Sequence, residues 1–152
     1  MLSQTTEYAL RLVVQLASQG DQPLTIPELA RGTKIPEGYL AKVLRQLARA
    51  GLVHSQRGPN GGSVLARAPE EVTVLDVVQA VDPLKRIEVC PLGHRSHGAN
   101  LCPLHRRLDQ AIASVEAAFR ASSLAEILGD PQGSRPLCED SRRRPTAGGG
   151  RR

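Results

Sequence analysis

The sequence contains few aromatic residues, since Tyr8, Tyr39 and Phe119 are the only ones and tryptophan is absent. A core must therefore be aliphatic, and stacking of bases on aromatic platforms is disfavoured as a binding mode. No apolar run approaches the roughly 18 residues that span a membrane, and no signal peptide opens the chain. We therefore expect a cytoplasmic protein without a membrane partner.

The motifs of several enzyme classes are also missing. The chain has no phosphate-binding loop, no H-E-x-x-H, no C-x-x-C and no assembled pair of nucleophile and base. We therefore expect that the protein is not an enzyme. Its three cysteines are, in a cytosolic protein, more often reduced thiols, metal ligands or redox sensors than a structural disulfide framework.

Positive charge is concentrated in one part of the chain. The net charge is +5, but residues 31–67 alone carry seven Lys or Arg side chains against one Glu, a net +6. A localised basic face is what a protein needs to neutralise phosphates where it docks on nucleic acid. This distribution points to the segment that contains the main motif.

Two short helices are predicted within that segment. A capping box formed by Thr25 and Glu28 marks the start of the first helix, and Gly32 marks its end. After a short turn, Pro36 suits the first position of a second helix, and Gly51 suits its C-terminal cap. Together the two elements form a helix-turn-helix unit.

The second helix has two unlike faces. Its buried face is predicted from apolar residues spaced three and four apart: Leu40, Val43, Leu44 and Leu47. The helix also supplies the residues that we predict to contact DNA: Gly38, Tyr39, Lys42, Arg45, Gln46 and Arg49. One face docks on the domain, and the other is available to an anionic partner.

Two β-capable runs follow, LVHSQR and SVLAR, joined by residues 58–62, Gly-Pro-Asn-Gly-Gly. They predict a hairpin with Arg57 near its tip. Gly61 and Gly62 would permit close approach of the wing backbone to DNA, with Arg57 in the minor groove. A helix-turn-helix followed by a wing is a DNA-reading arrangement with its second helix in the major groove. The alternative is an ordinary helical hairpin beside a loop.

Two further helices flank this motif. Residues 4–18 are predicted to form the first helix of the chain, with Glu7 and Arg11 as a solvent-facing pair four residues apart. After the wing, Thr73 and Asp76 repeat the capping signature and predict a short packing helix. We assign no binding role to that short helix.

A long helix is predicted to begin at Pro103 and to end near Ala121. Its apolar residues follow a near-heptad seam: Leu104, Leu108, Ala111, Ile112, Val115, Ala118 and Phe119. The seam has more apolar surface than a small domain obviously covers, which predicts pairing with a second copy of the chain. The alternative is a helix that packs within its own chain.

The fold class expected is mostly α with a small β-hairpin, as a winged helix-turn-helix DNA-binding domain plus a long dimerisation helix. The chain of 152 residues is one domain with an accessory element. Its predicted segments are the DNA-binding domain (residues 1–82), a cysteine and histidine loop (83–102), the dimerisation helix with a helical turn (103–129), and a disordered basic tail that contains Cys138 (130–152).

The loop holds the candidate metal ligands. Cys90 and Cys102 bracket His94 and His97, and His105 follows three residues after Cys102. Thiolate and imidazole together suit iron–sulfur clusters, iron or zinc, and do not suit magnesium or calcium. C-x11-C alone is a weak signal, but five such side chains in sixteen residues favour a metal site.

Five segments resemble one family. TTEYALR, IPEGYLAKVLRQLARAGLV, RGPNGGSVLAR, VTVLDVVQAVD and the cysteine loop that leads into a long helix resemble, over about residues 1–129, the winged-helix family that includes the iron–sulfur regulator IscR and the nitric-oxide sensor NsrR. The resemblance implies a homodimeric bacterial transcription regulator whose long helices pair and whose wing enters the minor groove. The operator is then an inverted repeat in double-stranded DNA.

The resemblance also implies a ligand set. In the pattern C-x5-C-x5-C-x2-H of IscR, Cys90, Cys102 and His105 match, whereas Ser96 stands at the middle cysteine. The ligands would then hold a [2Fe-2S] or [4Fe-4S] cluster, with His97, His94 or Glu7 of the partner subunit as a further ligand. Such a cluster would switch a repressor in response to nitric oxide, redox state or iron–sulfur status. The alternative is a cluster-free regulator gated by zinc, thiol oxidation or a partner protein.

Overall fold

A computed structural model gives the structure of residues 2–91, 93 and 101–130. These residues form six α-helices and one two-stranded antiparallel sheet, so the expected fold class is confirmed. In chain order the elements are α1 (Gln4–Gln19), α2 (Ile26–Thr33), α3 (Glu37–Arg49), β1 (Val53–Gln56), β2 (Gly62–Leu65), a 3-10 turn (Pro69–Glu71), α4 (Val74–Val81), α5 (Pro103–Ala121) and α6 (Leu124–Gly129).

The core is aliphatic, as the composition predicts, and α1 lies at its centre. This helix packs against α2, α3, α4 and α6. Buried side chains from five helices form the core: Ala9, Leu12, Val13, Leu16, Leu29, Leu40, Val43, Leu47, Val77, Val78 and Leu124. In the part of the chain that the structure describes, no helix combines the length and the apolar character needed to cross a membrane.

The helix α2 passes through the glycine that was predicted to end it. The backbone of α2 turns left-handed only at Lys34, with φ 58°. A Cβ atom on Gly32 would lie 3.0 Å from the side chain of Gln15 in α1. Gly32 therefore permits close packing of two helices, and its predicted role as a stop is wrong. The predicted contact at the other end is confirmed, since Glu28 accepts the backbone N–H and hydroxyl of Thr25 at 2.8 and 2.7 Å.

The helix α3 ends where the sequence predicts. Gly51 follows its C-cap with a left-handed φ of 70°. The N–H groups of Gly51 and Leu52 donate to the carbonyls of Ala48 and Leu47, each at 3.0 Å. This double closure satisfies the last carbonyl groups of the helix and turns the chain directly into β1. At the other end, Pro36 is the N-cap of α3. The helix therefore begins one residue later than predicted.

The wing is a three-segment structure. β1 and β2 pair antiparallel, with Gln56 opposite Gly62 at the tip. The segment between α1 and α2 joins them through Leu24, whose N–H donates to the carbonyl of Ser63 at 3.0 Å and whose carbonyl accepts the N–H of Ser63 at 2.8 Å. These bonds attach the base of the wing to the helix-turn-helix unit.

The chain returns to the core after α5. Thr73 and Ser123 form an antiparallel bridge, and the N–H of Leu124 donates to the carbonyl of Val72 at 2.9 Å. The side chain of Leu124 is fully buried. The predicted capping of α4 is confirmed, since Asp76 accepts the N–H of Thr73 at 2.9 Å. The C-terminal end of α5 is therefore fixed to the domain that α1 to α4 form.

Candidate nucleic-acid interface and cysteine site

The helix α3 presents a basic outer face. Its predicted inner face is buried, as expected. The exposed outer residues include Gly38 and three cations: Lys42, Arg45 and Arg49. From Lys42 to Arg49 the helix rises by about 10 Å, a length comparable to the roughly 12 Å width of the major groove of DNA. The face has the charge and the exposure that docking on DNA requires.

Gln46 differs from the other predicted contacts of α3. Its side chain is half-buried, and its Oε1 atom is shielded from solvent and accepts no hydrogen bond from the residues that the structure describes. A buried acceptor without a donor costs about 1–3 kcal/mol. Gln46 therefore lies at the edge of the basic face, and its Oε1 atom can accept a hydrogen bond from a base only if the side chain rotates.

Tyr39, at the start of α3, is held by α1. Its ring lies 5.4 Å from the ring of Tyr8 in an edge-to-face arrangement at 80°. The Nζ atom of Lys42 lies 5.6 Å from the centre of the Tyr39 ring. Both contacts are attractive, so they orient Tyr39 and Lys42 before any ligand arrives. Sequence reasoning missed this cluster because local spacing does not report contacts between separate helices.

The wing places Arg57 at its exposed tip. The two glycines that were predicted to approach DNA also have a role inside the protein. A Cβ atom on Gly61 would lie 2.5 Å from the carbonyl oxygen of Gln56, and one on Gly62 would lie 2.9 Å from the backbone of Leu24. Larger residues would therefore distort the wing itself.

Cys102 and His105 contact each other at the start of α5. The Sγ atom of Cys102 lies 3.2 Å from Nδ1 of His105. Cys102 is the N-cap of α5, and its carbonyl accepts the N–H of Arg106 at 2.9 Å. Both side chains are half-buried. The contact places a sulfur atom beside an imidazole nitrogen, and these are ligand atoms that iron and zinc prefer.

The other predicted ligands are placed less completely. Cys90 is half-buried, and its carbonyl accepts the N–H of Gly93 at 3.0 Å in a tight turn. Within residues 2–91, 93 and 101–130, no group of three or more His, Cys, Asp or Glu side chains is placed to hold a metal ion. The structure thus brings two of the predicted ligands together. Four residues of interest lie outside the described residues: His94, Ser96, His97 and Cys138.

Glu7 lies on the first turn of α1 and is exposed. It accepts a hydrogen bond from Nε of Arg11 at 2.9 Å, so the predicted pair four residues apart is confirmed. The role of Glu7 as a ligand from a partner subunit stays a prediction.

The helix α5 has an exposed apolar row. None of its residues is buried, and the side chains of Leu104, Leu108 and Val115 are 64%, 47% and 41% exposed. Ala111 and Ala118 are exposed on the same row, whose members alternate four and three residues apart. Ile112 and Phe119, the other members of the predicted seam, are half-buried and lie on the neighbouring row. The exposed row has the spacing of a coiled-coil seam.

An ionic cluster joins the segment after α4 to α5. Asp109 accepts hydrogen bonds from Nε and Nη2 of Arg86 at 2.7 and 2.6 Å, and from the N–H of Ile87 at 2.9 Å. The Arg86 hydrogen bonds lower the pKa of Asp109 to about 2, and those same bonds raise the pKa of Arg86. Glu116 pairs with Arg120 at 2.6 Å. Sequence reasoning missed the cluster because 23 residues separate Arg86 from Asp109.

The chain matches a known family along most of its length. The model of Rrf2, described as an iron-dependent transcriptional regulator, matches residues 2–130. An HTH-type transcriptional regulator of Aquifex aeolicus (strain VF5) is 29% identical over 131 residues, 84% of this chain and 91% of the relative. The HTH-type transcriptional regulator NsrR of Geobacillus kaustophilus (strain HTA426) is 29% identical over 144 residues, 93% of this chain and 98% of the relative.

A solved structure gives the same result. CymR (YrzC), described as the global cysteine regulator of B. subtilis, matches with a TM-score of 0.70 and 25% sequence identity, over 84% of this chain and 95% of that chain. The relatives from Aquifex aeolicus and Geobacillus kaustophilus are transcriptional regulators by name. The resemblance that the sequence motifs indicate is therefore confirmed.

Proposed function

The chain belongs to the Rrf2 family of DNA-binding transcriptional regulators, and on that premise we propose that it acts as a cytoplasmic homodimeric repressor whose DNA affinity is switched at Cys90, Cys102 and His105. The contact of Cys102 with His105 at 3.2 Å is the observation that carries this proposal. It joins two ligands of the expected set at the start of the helix that we expect to pair. A change at this point can therefore reach the dimer.

The proposed DNA contact uses α3 and the wing. Exposed Lys42, Arg45 and Arg49 on α3 suit phosphates and base edges of the major groove. Arg57 at the wing tip suits the adjacent minor groove, whose negative potential attracts arginine. The edge-to-face contact of Tyr39 with Tyr8 and its contact with Lys42 support the proposal, because preorganised side chains lose less entropy on binding.

The proposed dimer uses the exposed row of α5. Pairing two such rows would remove Leu104, Leu108 and Val115 from water, at about 25 cal/mol for each Å² of apolar surface. A two-fold pair of chains then presents two copies of α3 about one DNA turn, roughly 34 Å, or a multiple apart. The operator that matches this symmetry is an inverted repeat.

The donor set at the start of α5 suits an iron–sulfur cluster in part. Cys102 and His105 would hold it, Cys90 is the next candidate, and His94, His97 or Glu7 of the partner subunit would complete the set. A bound cluster supplies chemistry that responds to nitric oxide, redox state or iron–sulfur supply. On the protein side, ligation of Cys102 ties the preceding loop to the first turn of α5, so loop order and helix position change together.

A second candidate is a cluster-free regulator. The contact between the Cys102 thiol and the His105 imidazole also suits a redox-sensitive thiol or a zinc site. The likeness to CymR, described as a global cysteine regulator, favours this candidate as well. In this case thiol oxidation, zinc or a partner protein would control the same loop.

Anaerobic purification separates the two candidates. For the leading proposal we expect absorption between about 300 and 450 nm together with bound iron and sulfide. Cys90→Ser or Cys102→Ser should abolish the absorption, and His105→Ala should weaken it. The matched control Cys138→Ser should leave it intact. The second candidate would be favoured over the leading proposal if the preparation is colourless and iron-free, binds its operator, and releases the operator when its thiols are oxidised.

A further inference from the structure

Gly38 is an exposed glycine on the first turn of α3, where it is the second helical residue. Beyond the backbone of its own helix, a Cβ atom at this position would meet no heavy atom of the described residues within 4 Å. Pro36 is the N-cap, so Gly38 does not cap the helix. Because glycine favours a helix less than alanine does, the fold alone would gain from a side chain at this position.

Most of the other described glycines have a reason within the chain. Gly32, Gly61 and Gly62 each leave no room for a Cβ atom, since neighbouring atoms would lie at 3.0 Å or less. Gly129 has open space, as Gly38 has, but it is the last residue of the short helix α6. The remaining glycines have a positive φ that other residues rarely adopt: Gly20, Gly51, Gly58 and Gly93.

Gly38 lies on the same row of α3 as the exposed cations. Lys42, Arg45 and Arg49 follow it at steps of four, three and four residues, so the four positions share one face of the helix. The side chain of Lys42 reaches back to Tyr39, where its Nζ atom lies 5.6 Å from the ring centre. A cation is therefore held at the first turn of α3, the turn whose outer face carries no side chain at Gly38.

We propose that Gly38 is the position at which the backbone of α3 lies directly against DNA, and that a Cβ atom there prevents this close approach. Glycine permits a backbone to approach a ligand closely, and recognition helices contact base edges through their N-terminal residues. The cations then attract phosphates along the row, and Gly38 sets how closely the first turn is seated. Gly38 is thus a specificity-determining residue, and this inference rests on the proposed DNA contact of α3.

Gly38→Ala tests the inference in full-length protein prepared anaerobically. The probes are a duplex that the parent selects from a pool of random sequence and an unrelated duplex of equal length. Affinity for the selected duplex should fall by about fivefold to a hundredfold, as a methyl group forced into a packed contact predicts. Gly38→Leu has a longer side chain and should lose more.

Two further measurements separate a steric effect from a loss of charge. Affinity of Gly38→Ala for the unrelated duplex should equal that of the parent, because every cation of the row remains. For the same reason, the slope of log affinity against log salt on the selected duplex should stay unchanged. Lys42→Ala, by contrast, should lower that slope.

The matched control is Gly129→Ala, which also places a methyl group in open space on a helix but lies outside α3. It should bind both duplexes as the parent does. The thermal unfolding midpoint of Gly38→Ala should equal or exceed that of the parent, since alanine suits a helix better than glycine. Lost binding in a protein of unreduced stability then reports the contact with DNA.

Equal affinity of the parent and Gly38→Ala for the selected duplex would overturn the inference and leave the proposed DNA contact of α3 standing. An equal loss on both duplexes, or a lowered unfolding midpoint, would also overturn it, because the substitution would then act through the helix itself. A parent that selects no duplex would instead overturn the proposed function, and the inference with it.

Discussion

The helices α1 to α4 and the helix α5 are built from the same aliphatic residues but differ in what they bury. Each of the first four helices contributes fully buried side chains to the core. None of the 19 residues of α5 is buried. This helix is held to the domain by its packing against α4, by Asp109 and by the return of the chain at Ser123. We infer that the DNA-binding half is complete in one chain and that α5 is complete only with a second.

The largest expected effect contrasts two leucines. Leu47 in α3 is fully buried, whereas Leu108 in α5 is 47% exposed. Leu47→Ala should lower the free energy of unfolding by about 2–5 kcal/mol, because it leaves a cavity in a packed core. In protein dilute enough to be monomeric, Leu108→Ala should change the free energy of unfolding by less than about 0.5 kcal/mol. Chemical denaturation measures both, and similar losses in the two variants would contradict the comparison.

The second expected effect appears only in the dimer. Leu108→Glu places a charge in the exposed row, and because Leu108 is 47% exposed it also removes about 0.7–1.4 kcal/mol of apolar burial per protomer from the interface. The dimer should therefore dissociate at concentrations where the parent is paired, with little change in the monomer. Ile112→Glu is a weaker test than the heptad pattern suggested, because Ile112 is half-buried on the neighbouring row.

Sedimentation velocity measures the dissociation. The matched control is Arg107→Glu, an exposed charge change one position away on the same helix. Its dissociation should follow the parent if Arg107 lies outside the interface. A Leu108→Glu dimer that persists at micromolar concentration would remove the exposed row as the interface.

Local patterns predicted the helices of both halves, including the limits of α5 at Pro103 and Ala121, but not the contacts between distant residues. Pro36 and Gly51 gave the limits of α3 within one residue, because capping depends on backbone geometry that a single residue type favours. Gly32 was wrongly predicted to end α2. A glycine is needed at this position because Gln15 approaches it from another helix. The contacts of Tyr8 with Tyr39 and of Arg86 with Asp109 join distant residues, and spacing along one helix carries no information about them.

The third expected effect concerns DNA. Arg57→Ala should weaken binding to the cognate site by about 1–3 kcal/mol, because the wing tip loses its minor-groove cation. Lys42→Ala should instead lower the slope of log affinity against log salt by about one if Lys42 contacts a phosphate. Fluorescence anisotropy over a salt series measures both quantities. Arg120→Ala, on α5 and remote from both elements in the chain, is the matched loss of charge, and an equal effect there would make the attraction nonspecific.

The smallest expected effect is the acid dependence of the ion pair between Arg86 and Asp109. Hydrogen bonds from Arg86 hold the pKa of Asp109 at about 2, below its ordinary value of 3.8. Because the folded state favours the ionised carboxylate, the stabilisation is complete above the ordinary value and is lost as the pH falls from about 4 to about 2. The difference in unfolding midpoint between the parent and Asp109→Asn should therefore shrink across that interval. Arg86→Gln removes the main cause of the lowered pKa of Asp109. In that background the effect of Asp109→Asn on the unfolding midpoint should depend less on pH, although the N–H of Ile87 still donates to Asp109. Parallel pH profiles for the parent and Asp109→Asn between pH 4 and pH 2 would mean that Arg86 does not hold the carboxylate in solution, and that charge adds nothing to the attachment of α5 to the domain.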